Sequence, residues 1–137
     1  MGLDMNLYGR KMLWHNRYDE KSEPKMEDGY PVDSVILEMG YWRKHPNLHG
    51  YIVETFAEGV DECQEIELSK EDLLMIAAAI RAKKLPHTEG FFFGDSQWHD
   101  GKEEEYASIF EKAAEWESAE IDRSKEFYRQ VYYRASW

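Results

Sequence analysis

The alternation of apolar and polar residues predicts an antiparallel sheet of about four strands. Residues 3–8 and 35–41 repeat with a period of two, which is typical of half-buried strands, and Gly40 marks a candidate bulge in the second. A short edge strand is predicted near 64–68, where apolar residues alternate with glutamates. The tail 126–137 is dense in β-forming residues and is expected to pair with the N-terminal strand. Within the second strand, we expect one face to be shared by Val35, Leu37, Met39 and Tyr41.

Apolar residues spaced by three and four positions predict three helices. The first begins at Pro46, whose missing N–H costs nothing at the first helical position, and ends at Gly59. The second follows a capping box at Ser69–Asp72, and the third is expected over 102–121. The core-facing stripes are predicted to be Leu48, Ile52 and Phe56, then Leu73, Ile76, Ala77 and Ile80, then Tyr106, Ile109, Phe110, Ala113 and Trp116.

Two further segments connect these elements. Residues 16–33 are polar and contain two prolines, so a surface loop is expected there. The segment Gly90–Gly94 contains Phe91 to Phe93 and is predicted to be a strand or hairpin arm that places at least one ring in the core.

For a chain of 137 residues, the whole pattern predicts a single α+β domain over 1–137, with the N- and C-terminal strands paired and about three helices packed on the sheet.

The charge and the apolar runs narrow the range of partners. The chain carries 28 acidic and 17 basic side chains, a net charge of −11, so direct binding to nucleic-acid phosphates is not expected. The longest apolar run, 73–80, is shorter than the roughly 20 residues that a membrane span requires, so no membrane partner is expected. Cys63 is the only cysteine and cannot form an internal disulfide, which predicts a reducing, cytoplasmic location.

The predicted third helix is strongly acidic. The segment 102–122 contains eight carboxylates and only two lysines. Because complementary charge speeds the encounter of two proteins, this helix is a candidate surface for a basic protein partner. The alternative is a solvated face that only keeps the protein soluble. The residues predicted to bind the partner are Glu104, Glu111, Glu115 and Glu117.

A second candidate site flanks the first helix. A tryptophan that stacks beside an arginine would suit a planar anionic ligand such as a nucleotide. The candidate ligand-binding residues are Trp42, Arg43, His49, Asp61 and Cys63. The alternative is structural, because Arg43 and His49 could satisfy internal partners and a lone cysteine is usually a small buried hydrophobe. No nucleophile signature surrounds Cys63, so no catalytic residue is predicted.

His45 and His49 have the spacing of a helical metal-binding pair. Pro46, however, places His45 at or before the start of the helix, where the two rings would not face each other. We therefore predict no metal site and no cofactor.

Several short blocks resemble one protein family in order and spacing. They are MGLDM at the N-terminus, GYWRK at 40–44, GVDEC at 59–63, GFFFG at 90–94 and YYRASW at 132–137. Together they resemble a family of small phage- and prophage-encoded proteins of no established function. The chain departs from that family at His45-Pro46, where the family usually has Ala-Asn, and at Gln64, where it usually has Gly. The resemblance implies a phage setting, hence a bacterial host cell, and carries no catalytic residues.

Two functions from different classes follow from these features. The first is a non-enzymatic protein-binding factor that engages a basic surface of a host or phage protein, including a component of host defence. The alternative is a protein that binds or sequesters a small, nucleotide-like ligand through Trp42, Arg43 and His49. An enzyme ranks third, after these two classes, because nothing in the sequence supplies a nucleophile with its base.

Overall fold

Residues 2–13, 24–88 and 96–137 are described in a computed structural model of the chain. The predicted Gly90–Gly94 strand and residues 16–23 of the predicted loop 16–33 lie outside these residues. In chain order the elements are β1 (Asp4–Leu13), β2 (Met26–Glu27), β3 (Tyr30–Pro31), β4 (Ser34–Arg43), α1 (Pro46–Phe56), β5 (Ile66–Glu67), α2 (Lys70–Arg81), α3 (Glu103–Ser118) and β6 (Glu126–Ser136). A short 3-10 turn, Ser96–His99, precedes α3.

The main sheet has four antiparallel strands in the order β4-β1-β6-β5, so the architecture is α+β as predicted. The predicted pairing of the N- and C-terminal strands is confirmed, since β1 pairs with β6 along its whole length, from Asp4 opposite Ser136 onwards. The strands β2 and β3 form a separate small hairpin. The strands β1 and β6 are therefore the two central strands of the sheet.

A bulge in β4 changes which residues face the core. Leu7 pairs with Gly40, but the next residue, Tyr8, pairs with Glu38, so Met39 is an extra residue. An inserted residue moves the following side chains to the opposite face. The expectation that Tyr41 shares a face with Val35, Leu37 and Met39 is accordingly wrong, because the extra residue lies between Leu37 and Tyr41. Tyr41 is 52% exposed, whereas Trp42 is 2% exposed.

The core lies between one face of the sheet and the three helices. On the sheet side it contains Leu3, Met5, Leu7, Trp42, Val131 and Tyr133, and on the helix side Leu48, Ile52, Leu73, Ile76, Ile80 and Phe110. Helices α2 and α3 pack against each other. Among the described residues, no helix is long and apolar enough to cross a membrane.

The helix ends follow the capping signals in the sequence. Ser69 and Asp72 form the predicted reciprocal capping box at the start of α2. Pro46 occupies the first turn of α1, and Gly59 has a positive φ of 78° in the turn that follows it. Gly50, inside α1, is needed because a Cβ there would overlap the side chain of Thr88. The helix α3 is shorter than the predicted 102–121, since it ends at Ser118.

Candidate functional site

Trp42 and Arg43 lie on opposite faces of the sheet, because successive strand residues point in opposite directions. The Trp42 ring stacks on Phe110 at 5.1 Å and meets the edge of Tyr106 at 6.0 Å. Its buried indole N–H has no hydrogen-bond partner within the described part of the chain. The Arg43 guanidinium is on the open face, 3.9 Å from the Asp4 carboxylate. These two side chains therefore cannot line one pocket together.

His49 is buried and its two ring nitrogens both have partners. Nε2 lies 2.9 Å from the Asp61 carboxylate, and Nδ1 lies 2.7 Å from the Tyr133 hydroxyl. A neutral ring with its hydrogen on Nε2 satisfies both, since it donates to Asp61 and accepts from Tyr133. Burial, reinforced by the nearby Asp61 charge, raises the pKa of Tyr133 well above its ordinary value, so the phenol keeps its proton. The network joins α1, the loop after it and β6.

Cys63 lies on the loop between α1 and β5 and is half-buried. Its carbonyl oxygen accepts a hydrogen bond from Nε of Arg134 at 3.1 Å, and its φ is +58°. Because His49 uses both nitrogens on Asp61 and Tyr133, it is not positioned as a base for the thiol. Residues 2–13, 24–88 and 96–137 contain no group of three or more His, Cys, Asp or Glu side chains suited to a metal ion.

The acidic side chains of α3 are partly neutralised within the fold. The Arg81 guanidinium, at the end of α2, lies 2.8 Å from Glu104 and 2.7 Å from Glu111. These contacts lower the pKa values of both carboxyls. Lys83 lies 3.9 Å from Glu103. Two of the four predicted partner-binding glutamates are therefore engaged by a residue of the neighbouring helix.

The four predicted glutamates of α3 also do not share one face. At about 100° per residue, Glu111 and Glu115 follow Glu104 within roughly 20° around the helix axis. Glu117 is turned by roughly 140° from Glu104. It borders a separate concavity lined by residues of β6, among them Tyr128. The structure thus brings together Glu104, Glu111 and Glu115 and separates Glu117 from them.

A more uniform acidic surface lies after α1. The fourteen residues 54–67 contain six carboxylates and no lysine or arginine. Three of these carboxylates are satisfied internally: Asp61 by His49, Glu65 by Arg10 at 2.9 Å, and Glu67 by the Tyr128 hydroxyl at 2.9 Å. The other three are exposed and form no ion pair with any described residue; we call Glu54, Glu58 and Glu62 the loop carboxylates. The absence of any basic residue over 54–67 was the signal in the sequence that could have indicated them.

The loop carboxylates sit where the fold disfavours them. Glu54 is in the last turn of α1 and Glu58 is the second residue after that helix, so both lie at its negative end. A carboxylate in that position typically costs about 0.3–1 kcal/mol. Glu58 and Cys63 also adopt left-handed backbone conformations, with φ of 53° and 58°. Such conformations cost non-glycine residues roughly 1–2 kcal/mol and are concentrated at functional sites.

Comparison of the chain with protein-family models, with curated proteins and with solved structures found no match.

Proposed function

We propose that this chain is a non-enzymatic protein-binding factor that engages a basic surface of a host or phage protein through the loop carboxylates. The observation that supports this most directly is that Glu54, Glu58 and Glu62 are exposed, have no ion pair among the described residues, and lie in or after the last turn of α1. Charges that reduce stability and satisfy no internal partner are better explained by a partner outside the chain.

Electrostatics would make such a contact fast. With a net charge of −11, the protein attracts a basic surface over distances of about a Debye length, roughly 8–10 Å at physiological salt. Val60 lies between Glu58 and Glu62 in the chain and is 46% exposed, so it offers an apolar contact within the charged loop. A central apolar contact surrounded by charged groups is the usual anatomy of a protein interface.

The glutamates of α3 have explanations within the fold that the loop carboxylates lack. Glu103, Glu104 and Glu105 occupy the first turn of α3, where the helix dipole favours negative charge. Glu104 and Glu111 are held by Arg81. The proposed contact surface is therefore moved from α3 to the loop after α1.

The resemblance to small phage proteins supports a partner inside a bacterial host cell. A host factor with a nucleic-acid-binding surface, such as a component of host defence, offers the basic patch that this loop complements. The alternative of a nucleotide-like ligand held by Trp42, Arg43 and His49 receives less support. Trp42 and Arg43 lie on opposite faces of the sheet, and His49 is engaged by Asp61 and Tyr133.

The test is capture of partners from a host lysate with two matched triple variants. One replaces Glu54, Glu58 and Glu62 with Gln, and the control replaces Glu105, Glu115 and Glu117 with Gln. Each removes three negative charges, so the two variants have the same net charge and lose it from different surfaces. We expect a basic protein to be recovered with the wild type and the control, and lost with the loop variant. Equal recovery with both variants, or no basic protein with the wild type, would contradict the proposal.

A further inference from the structure

A second concave feature lies between the start of α1, the end of α2 and the start of α3. Its volume is about 340 Å³, which is within the range typical of small-molecule sites. Two stacked histidine rings form part of its wall: His45 and His99 are 4.3 Å apart and nearly parallel, at 7°. This cavity shares no residue with the loop carboxylates.

The hydrogen bonds of His99 are fully used by the protein. Its Nε2–H donates to the backbone carbonyls of Arg43 at 2.9 Å and Lys44 at 3.2 Å. Its Nδ1 then accepts from the Tyr106 hydroxyl at 2.5 Å. His99 is thus a fixed support for the His45 ring stacked on it.

His45 has one nitrogen left for a ligand. Its Nδ1 lies 3.0 Å from the hydroxyl of Ser96, and that oxygen also accepts the N–H of Asn47 at 3.1 Å. Ser96 therefore caps α1 from another part of the chain. Because its oxygen already accepts the Asn47 N–H, we assign the Ser96 hydrogen to Nδ1 of His45. The neutral ring then carries its hydrogen on Nε2.

The free ring nitrogen belongs to a residue that lines the cavity, and it keeps some access to solvent. The His45 residue is 94% buried and its ring lines the cavity wall. Within the described parts of the chain, Nε2 has no hydrogen-bond partner, yet it is not among the fully inaccessible atoms that lack one. Its hydrogen can therefore be accepted only by a group from outside the described residues, either water or an oxygen atom of a ligand.

The remaining lining combines both charges with apolar surface. Lys83 contributes an ammonium group, and its side chain is 75% exposed. The ammonium lies 3.9 Å from the Glu103 carboxylate, which is a loose ion pair. Asp100 and Glu103 contribute carboxylates, and Ile80 and Leu85 contribute apolar surface. A simple anion such as phosphate would be repelled by the two carboxylates, and a simple amine would leave the His45 donor unsatisfied.

We propose that this cavity binds a small zwitterion of the α-amino acid class. Its carboxylate would accept hydrogen bonds from Nε2 of His45 and from the ammonium of Lys83. Its ammonium group would pair with Asp100 or Glu103, and its side chain would lie against Ile80 and Leu85. Burial keeps the neutral form of His45, since it lowers the pKa of the ring to about 3.

The experiment is a titration of the whole protein with each of the twenty amino acids, monitored by NMR of the His45 ring nitrogens. We expect at least one amino acid to produce a saturable shift at millimolar concentration or below. Acetate and methylammonium, which carry one charge each, should bind at least about tenfold more weakly, because each leaves one set of charges in the cavity unpaired.

Lys83→Met and Lys84→Met provide a matched pair of variants, because Lys84 is an exposed neighbour that does not line the cavity. Both are surface changes that should leave the fold intact. We expect Lys83→Met to weaken binding at least about tenfold and Lys84→Met to leave it unchanged. The proposal is overturned if no amino acid gives a saturable shift, if acetate or phosphate binds as tightly, or if the two variants behave alike.

Discussion

The hydroxyl of Tyr133 lies 2.7 Å from Nδ1 of His49, and the two residues are 84 positions apart in the chain. Both are almost inaccessible, with 0% and 2% of their surfaces exposed. This hydrogen bond joins the central strand β6 to α1, and Asp61 extends it to the loop that carries the proposed contact surface. The position of that loop therefore depends on a buried polar network.

Tyr133→Phe tests that network. Removing the hydroxyl leaves Nδ1 of His49 buried without its donor, so we expect a loss of about 1–3 kcal/mol in the free energy of unfolding, measured with urea. Tyr128→Phe is the matched control, because it removes the exposed hydrogen bond to Glu67. It should change stability by less than about 0.5 kcal/mol. Equal losses in the two variants would show that the buried network contributes no more than a surface contact.

His45 should make stability depend on pH. Burial, together with the neighbouring His99, lowers its pKa from 6.5 to about 3. The unfolded chain therefore binds a proton that the folded protein does not, and the stability present above pH 6.5 is lost as pH falls toward 3. Between about pH 4.5 and 6 the free energy of unfolding should fall by about 1.4 kcal/mol per pH unit. Denaturation of His45→Gln should show a slope smaller by this amount, and an unchanged slope would contradict the assignment.

Charge reversal should separate Glu111 from Glu115. Glu111→Lys places a lysine against Arg81, whereas Glu115 is exposed and forms no ion pair among the described residues. We therefore expect Glu111→Lys to lower the melting temperature more than Glu115→Lys does. Because salt screens exposed charges, this difference should shrink between 0.1 M and 1 M salt, as the Debye length falls from about 10 Å to about 3 Å. Identical melting curves would mean that the Arg81 contacts contribute nothing measurable.

The left-handed conformation of Cys63 predicts that a glycine at this position gives a more stable protein than an alanine does. Its φ of +58° suits glycine and strains any residue with a Cβ. Cys63→Gly should therefore be more stable than Cys63→Ala by about 1 kcal/mol in urea denaturation, although glycine usually destabilises. If the alanine variant is the more stable, the loop relaxes out of this conformation.

Local pattern was sufficient for most of the fold. The alternation at Leu3, Met5 and Leu7 identified residues that are 0% exposed, and the Ser69–Asp72 capping box marked the start of α2. The aromatic tail indicated the pairing of the two terminal strands. Tyr41 was wrongly grouped on one face with Val35 and Leu37, because only the pairing of β4 with β1 shows that Met39 is an extra residue.

The candidate sites depended on contacts that sequence spacing does not reveal. Arg81 reaches Glu104 and Glu111 from 23 and 30 positions away, so the neutralisation of α3 was invisible in a count of charges. The stacking of His45 on His99 likewise joins two distant segments, and no residue spacing in the sequence indicates that they are in contact. Of the predicted ligand-binding residues, His49 and Asp61 are in contact, as expected of one site. Trp42 points into the core and Arg43 points away from it.

The most direct test of the proposed function is the rate at which the captured partner associates with the wild type and the two glutamine triple variants at low ionic strength. The proposal predicts that replacing Glu54, Glu58 and Glu62 slows association by roughly tenfold, since complementary charge acts chiefly on the association rate. Replacing Glu105, Glu115 and Glu117 should leave the rate within about twofold. A greater loss with the α3 variant, or equal rates for both variants at every salt concentration, would contradict a contact centred on the loop after α1.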